Sequence, residues 1–348
     1  MEQGDSINFF RPLIKWLDRP INYLKYHKYR IQTDDKDLIT TDWGYGDNPE
    51  LFEENIKKYP KLLTSYIEKP IKYTVNNDGC RAFENFKPDI SREVDIYLGC
   101  SFTFGVGHHW ENTWPYFLGK FQGRDVLNLG IPGGSIETSF IMLSKFINYY
   151  TVRNVFHYQP IYPRYAFPVE YEHSNGGSIK GVESLMMNCV DDPTYMETYG
   201  EFIPYNKVGM FNLTDQEYIH YNHYIFVNAI KGLCGSLFSS KLGFPKYYHL
   251  NGLPFKDKEC LITEEFTIDK EISFDWGNNL AARDIGHYTL NQNIAISEKF
   301  QALIKEYPEG YTPFENLDQN KKDIKVVPYE KTIINIFTDS SMSKGRHK

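Results

Sequence analysis

The sequence contains no uninterrupted apolar run approaching the roughly 20 residues that a membrane-crossing helix requires. A membrane partner is therefore not expected. Its opening residues, Met1-Glu2-Gln3-Gly4-Asp5, lack the basic start and apolar core of a secretory leader. The expected location is cytoplasmic or virion-associated. Cysteine is sparse: Cys80, Cys100, Cys189, Cys234 and Cys260 are scattered, odd in number and form no C-x-x-C pair. That pattern argues against a disulfide framework or a zinc site, and it fits a reducing compartment. Lysine and arginine, 38 together, are outnumbered by 45 acidic residues, for a net charge of −7. No basic patch stands out, so nucleic acid is not an expected partner. The glycines at 99, 105 and 107 are not followed by Lys-Ser or Lys-Thr, so they do not read as a phosphate cradle. Glu217, His220 and His223 share one face of a predicted helix, but no further ligand cluster accompanies them. No metal and no cofactor are expected.

What the chain has instead is ample core material and many aromatic rings. With 348 residues, 41% of them hydrophobic, one large α/β domain with elaborations is favoured over two equal domains. Aromatics make up 16%, including 27 Tyr and 24 Phe. Tyr-rich surfaces suit sugar clefts, because ring faces pack on apolar sugar faces while the hydroxyl bonds polar groups; a Tyr-rich core is the simpler reading of the composition alone.

Hydrophobic periodicity organises the chain around a central α/β stretch. Strands are predicted at 94–98, 125–131, 155–158 and 246–250, and helices at 113–121, 135–149, 215–237 and 288–307. Ser135 reads as an N-cap, with Phe140, Leu143, Phe146 and Ile147 on one face of the helix it opens. Alternating strands and helices imply right-handed crossovers and a parallel sheet with helices on both faces. The expected organisation is an irregular N-terminal extension at 1–91, the main domain at 92–308 with an insert at about 161–245, and a polar C-terminal arm at 309–348 with one strand candidate at 332–337. Residues 162–209 read as a long irregular loop or lid.

Two segments carry the chemistry. Gly99-Cys100-Ser101-Phe102-Thr103-Phe104-Gly105 follows the first predicted strand. A serine there stands above the carboxyl end of a parallel strand, where sites in such sheets lie. Arg283-Asp284-Ile285-Gly286-His287 directly precedes the last predicted helix. An acid three residues before a histidine can orient the imidazole, and the imidazole can take a proton from serine. Ser101, His287 and Asp284 are therefore the candidate catalytic residues of a Ser-His-Asp hydrolase.

Gly99-Cys100-Ser101, Asn128-Leu129-Gly130-Ile131-Pro132-Gly133 and Asp284-Ile285-Gly286-His287 stand in the order and on the elements of the Gly-Asp-Ser, Asn-x-Gly-x-x-Gly and Asp-x-x-His blocks. Over about 94–160 and 276–306 the chain thus resembles the SGNH/GDSL hydrolase family. The variant Gly-Cys-Ser-Phe-Thr-Phe-Gly is similar to a branch familiar from marine microbes and their phages. The resemblance implies a flavodoxin-like three-layer α/β/α sandwich and an esterase with Ser101 as nucleophile. It also implies an oxyanion hole built from the amides of Ser101 and Gly130. Two positions depart from the pattern. Cys100 replaces the aspartate of the first block. The third block, Gly-x-Asn-Asp, has no counterpart after the third strand, where the chain runs Tyr158-Gln159-Pro160-Ile161-Tyr162-Pro163-Arg164. Gln159 is the candidate replacement donor, and Arg164 the candidate for an oxyanion or an acidic substrate group. Tyr162 and Arg164 are candidate substrate-binding residues, with Tyr165, Phe167 and Tyr171 available to pack on a sugar. The expected activity is hydrolysis of short acyl (O-acetyl) esters on a carbohydrate. The alternatives are a non-catalytic carbohydrate-binding or virion structural protein on a decayed hydrolase scaffold, and an acyltransferase.

Overall fold

In the computed structural model the described residues are 30–32, 38–44, 47–76, 78–159, 164–172, 178–186, 216–237, 242–251, 282–285 and 287–311. All of them belong to one compact unit, Met1–Pro313. The strand candidate at 332–337 lies outside the described residues.

The described residues of the N-terminal part, from Arg30 on, form regular elements. Strands β1 (Arg30–Gln32), β2 (Ile39–Thr41) and β3 (Tyr73–Val75) form an antiparallel sheet in the order β1-β2-β3. Between them run α1 (Pro49–Lys58), α2 (Pro60–Leu63) and α3 (Ser65–Glu68). Asn48 caps α1, its Oδ1 accepting the Leu51 amide at 2.8 Å, and Pro49 fits the first turn, where its missing N–H is no loss. Three-residue strands are too short to show a period in sequence. They hold because Ile39, Leu63, Tyr66, Ile71, Tyr73 and Val75 pack with Phe104 and Val106, residues of the central domain.

The central sheet is all parallel. Strand β4 (Asp89–Leu98) is followed by the short helix α4 (Ser101–Phe104) and by α5 (Trp114–Gln122). Then come β5 (Asp125–Asn128), α6 (Ile136–Phe146) and β6 (Tyr150–Gln159). Strands β4 and β6 begin five residues earlier than the periodicity marks, and β5 stops at Asn128. The expected irregular stretch at 162–209 contains an antiparallel pair, β7 (Arg164–Glu172) and β8 (Ser178–Met186), in unbroken register from Arg164↔Met186 to Glu172↔Ser178. Alternating Tyr165, Phe167, Val169 and Tyr171 are its signature, and Pro168 masks it. A proline is tolerated in a ribbon of two strands because each strand has an edge that needs no donor. Helix α7 (Gln216–Gly235), strand β9 (Lys246–Asn251) and helix α8 (Leu290–Glu306) complete the order. The sheet runs β5-β4-β6-β9.

Helices cover both faces. On one, Tyr97, Phe156, Tyr158, Tyr248 and Leu250 of the sheet pack against Trp114 and Leu118 of α5 and Ile296, Phe300 and Leu303 of α8. Trp114 stacks on Phe300 at 5.1 Å between centroids, an arrangement worth about 1 kcal/mol beyond area burial. On the other face α6 meets α7, with Phe140 and Phe226 edge to face and Asn222 Nδ2 donating to Glu137 at 2.6 Å. Beneath α7 lies a polar seam: His157 and His249 are paired across β6 and β9, and Tyr247 Oη sits 2.8 Å from His157 Nδ1 and 3.2 Å from His249 Nδ1. Capping boxes fix the starts of α6 (Ser135 with Thr138) and α8 (Thr289 with Gln292).

Candidate active site

Strand β4 ends at Leu98 and the chain turns at once into α4, so the turn must be tight. Gly99 makes it: its φ is +147°, and a Cβ there would stand 2.2 Å from Thr103 Oγ1 and 2.5 Å from the Tyr158 carbonyl oxygen. Only glycine fits between α4 and β6. Cys100, fully buried, precedes the helix, and its carbonyl accepts the amides of Thr103 at 3.0 Å and Phe104 at 2.9 Å. Ser101 opens α4 at 7% exposure, and its hydroxyl has no hydrogen-bond partner among the described residues. Its backbone amide belongs to the first helical turn, where N–H groups have no intrahelical acceptor.

The segment before α8 lies against the segment after β4. His287 Nδ1 and Asp284 Oδ2 are 2.5 Å apart. The His287 ring is 5.0 Å from the ring of Phe102, the neighbour of Ser101, and Tyr288 stacks on Phe102 at 4.1 Å. The Arg283 amide donates to the Gly107 carbonyl at 2.9 Å. The three candidate catalytic residues thus lie on two segments in direct contact. Asp284 and His287 are joined; no hydrogen bond joins Ser101 to His287 in the structure.

Gly130 follows β5 and approaches α4 closely: a Cβ there would meet the Phe104 amide nitrogen at 2.7 Å and Thr103 Cβ at 2.8 Å. Its amide is already engaged, donating to Asn128 Oδ1 at 2.9 Å, while Asn128 Nδ2 donates to the Thr103 carbonyl at 2.8 Å. Asn128, to which the sequence reading assigned no role, therefore ties the end of β5 to α4. Gln159 is the last residue of β6, in register with Asn251, and Arg164 is half-buried at the start of β7. Tyr162 lies outside the described residues.

Two more residues of the site escaped the sequence reading. Buried Arg81 donates to the carbonyls of Phe104 at 3.2 Å, Gly105 at 2.6 Å and His108 at 2.7 Å, so one guanidinium gathers the loop after α4. Buried His108 donates from Nε2 to the Tyr288 carbonyl, and burial pushes its pKa down to about 4, which keeps it neutral beside Asp284 and His287. Neither carries a local signature; both act on backbone groups that only the fold brings to them. Among the described residues no group of three or more His, Cys, Asp or Glu side chains is arranged to hold a metal ion. No helix among them is long and apolar enough to cross a membrane.

No protein-family model matches the chain, and no curated protein matches it. Among solved structures, a member of the lipolytic protein G-D-S-L family from Veillonella parvula DSM 2008 is similar over 66% of this chain and 82% of its own, with 11% sequence identity and a TM-score of 0.24.

Proposed function

We propose that the protein is a serine esterase of the SGNH type that removes short acyl groups, such as O-acetyl, from a carbohydrate. The observation that carries this reading is the 2.5 Å Asp284–His287 pair lying against Phe102, the neighbour of a serine that opens a helix at the end of a parallel strand. With Nδ1 engaged by Asp284, His287 presents Nε2 as the base. Ser101 Oγ attacks the ester carbonyl carbon as its proton passes to Nε2, and the carbonyl electron pair moves onto oxygen. The Ser101 amide donates to that oxyanion. Gly130 joins it by exchanging its bond to Asn128 Oδ1 for one to the oxyanion, and Gln159 at the end of β6 is the third proposed donor. Collapse expels the sugar alkoxide, which takes the proton from Nε2 and leaves an acyl-serine. Water repeats the sequence and frees the acid. The base and nucleophile close to bonding distance on substrate binding, as is common in active sites that are loose without ligand. Arg164 and Tyr162 are the proposed contacts to the sugar.

A fluorophosphonate probe should label the protein, and Ser101→Ala should abolish labelling without moving the urea unfolding midpoint. Labelling that persists in Ser101→Ala and disappears in Cys100→Ala would transfer the nucleophile to the neighbouring thiol. The committed Gly130 amide and the missing Ser101–His287 bond favour a second reading, a non-catalytic binding protein on a decayed hydrolase scaffold, and a wild type that takes no label would support it. An acyltransferase would form the same acyl-serine, giving a stoichiometric burst from p-nitrophenyl acetate without turnover in water.

A further inference from the structure

Asp284 and His287 are held in place from the far end of the chain. Arg283, one residue before Asp284, is 1% exposed, and Asp47, 236 positions earlier, is fully buried. Arg283 Nε donates to both carboxylate oxygens of Asp47 at 3.0 Å, and Nη2 donates to Oδ2 at 2.6 Å. The same Nη2 donates to the Asp42 carbonyl, and the guanidinium lies 3.7 Å from the centre of the Trp43 ring. Tyr73 Oη donates to Asp47 Oδ2 at 2.5 Å and accepts the Gly107 amide at 2.8 Å. The Gly107 carbonyl accepts the Arg283 amide at 2.9 Å. These bonds close a ring: Arg283 to Asp47, Asp47 to Tyr73, Tyr73 to Gly107, Gly107 back to Arg283. A further bond, from Asn55 Nδ2 to the Asp284 carbonyl at 3.2 Å, comes from α1.

The ring joins three separate stretches: the N-terminal sheet, the loop after α4 that begins with Ser101, and the segment carrying Asp284 and His287. Two residues sit where the segments touch, Gly107 of the ring and Ile285 beside Asp284. Gly107 has φ +78°, and a Cβ on it would lie 2.7 Å from Ala282 Cβ and 2.9 Å from Asp284 Oδ1. Ile285 has φ +59°, a left-handed conformation that a β-branched residue adopts only when its surroundings impose it, and it packs on the N-terminal core.

We propose that Asp47, Tyr73 and Arg283 are positioning residues that set the placement of the Asp284–His287 pair over the Ser101 loop, so that the N-terminal region is a working part of the active site. The inference rests on the Ser-His-Asp reading for its consequence in catalysis. Its structural half, that the ring fixes the Asp284–His287 hydrogen bond, is independent of that reading. A buried ion pair broken on one side is strongly destabilising, so Asp47→Ala alone would not separate positioning from folding. Tyr73→Phe is the sharper variant: it keeps the ring in the core and removes only the hydroxyl that links Asp47 to Gly107.

The test uses the full chain labelled with ¹⁵N-histidine, following the His287 Nδ1–H resonance by proton NMR beside kcat and KM on p-nitrophenyl acetate. Leu63→Ala, in the same N-terminal core but outside the ring, is the control for loss of stability alone. Tyr73→Phe and Arg283→Lys should shift or broaden the Nδ1–H signal and lower kcat by about 10- to 100-fold, with KM nearly unchanged, as expected for misplacement by a fraction of an ångström. Leu63→Ala should lower the unfolding midpoint and leave the resonance in place. A resonance that moves in a protein that never hydrolyses ester would retain the positioning role and remove the esterase. A resonance and kcat that stay at wild-type values in folded Tyr73→Phe would overturn the proposal.

Discussion

Acidification from about pH 7 to about pH 5 should weaken the fold through histidines that cannot take a proton where they sit. Burial pushes His157 down to about 3 and His108 down to about 4, and His249 is held well below the usual histidine value by burial, His157 and His223. Each base is depressed in the folded state, so between its folded and unfolded values the unfolded chain binds the extra proton. The stability is therefore complete above about 6.5, the unfolded histidine value, and is lost as the pH falls. At about pH 5 His157 and His108 each cost roughly 2 kcal/mol, a figure that depends on the unfolded pKa and hardly on how far below 5 the folded one lies. Together they make roughly 4 kcal/mol, a large share of the whole stability of an ordinary domain, and His249 acts in the same direction. Buried carboxyls oppose this. Burial raises Asp95 to about 6, so its protonation returns about 1 kcal/mol over the same interval, and Asp47, raised by burial against the pull of Arg283, acts in the same direction. The clean measurement is therefore a difference. Urea unfolding of wild type and of His157→Gln should be compared at both pH values. His157→Gln keeps a partner for the Tyr247 hydroxyl but cannot titrate. Its deficit relative to wild type should shrink by about 2 kcal/mol on going to the lower pH. A deficit that is the same at both would show that His157 is accessible to protons in the folded protein and would refute the reasoning.

Two further outcomes can be checked. Acetyl esters should be hydrolysed faster than octanoyl esters, and acetylated polysaccharide should release acetate; a clear preference for octanoyl would overturn the carbohydrate reading and leave the serine chemistry standing. Gly99→Ala should destabilise the protein by about 3 kcal/mol or more in urea titration, because a Cβ at a positive φ would press on the Tyr158 carbonyl; an unchanged midpoint would disprove the tight turn into Ser101.

The periodicity of 94–98, 155–158 and 246–250 was enough to find β4, β6 and β9, because a strand buried on both faces writes its burial into consecutive apolar residues. The capping serine of α6 was legible for a similar reason: a cap is satisfied within one turn of itself. The same locality made Gly99, Ser101 and the Asp284–His287 spacing readable as candidates. Elements that depend on distant partners were not. The three-residue strands of the N-terminal sheet have no period of their own and stand on Phe104 and Val106, and the β7–β8 pair hid behind Pro168. Nor does any local pattern show that Asn128 Nδ2 reaches the Thr103 carbonyl, that Arg81 collects three carbonyls, or that His157 faces His249. Nothing in the local sequence marks Arg283 as buried or gives it a partner. Only the fold brings it to Asp47, 236 positions away, inside a core where an unpaired guanidinium could not be buried. Short-range physics, acting within a turn or along one strand, was settled by the order of residues; pairings across the chain were decided by the packing that excludes water from them.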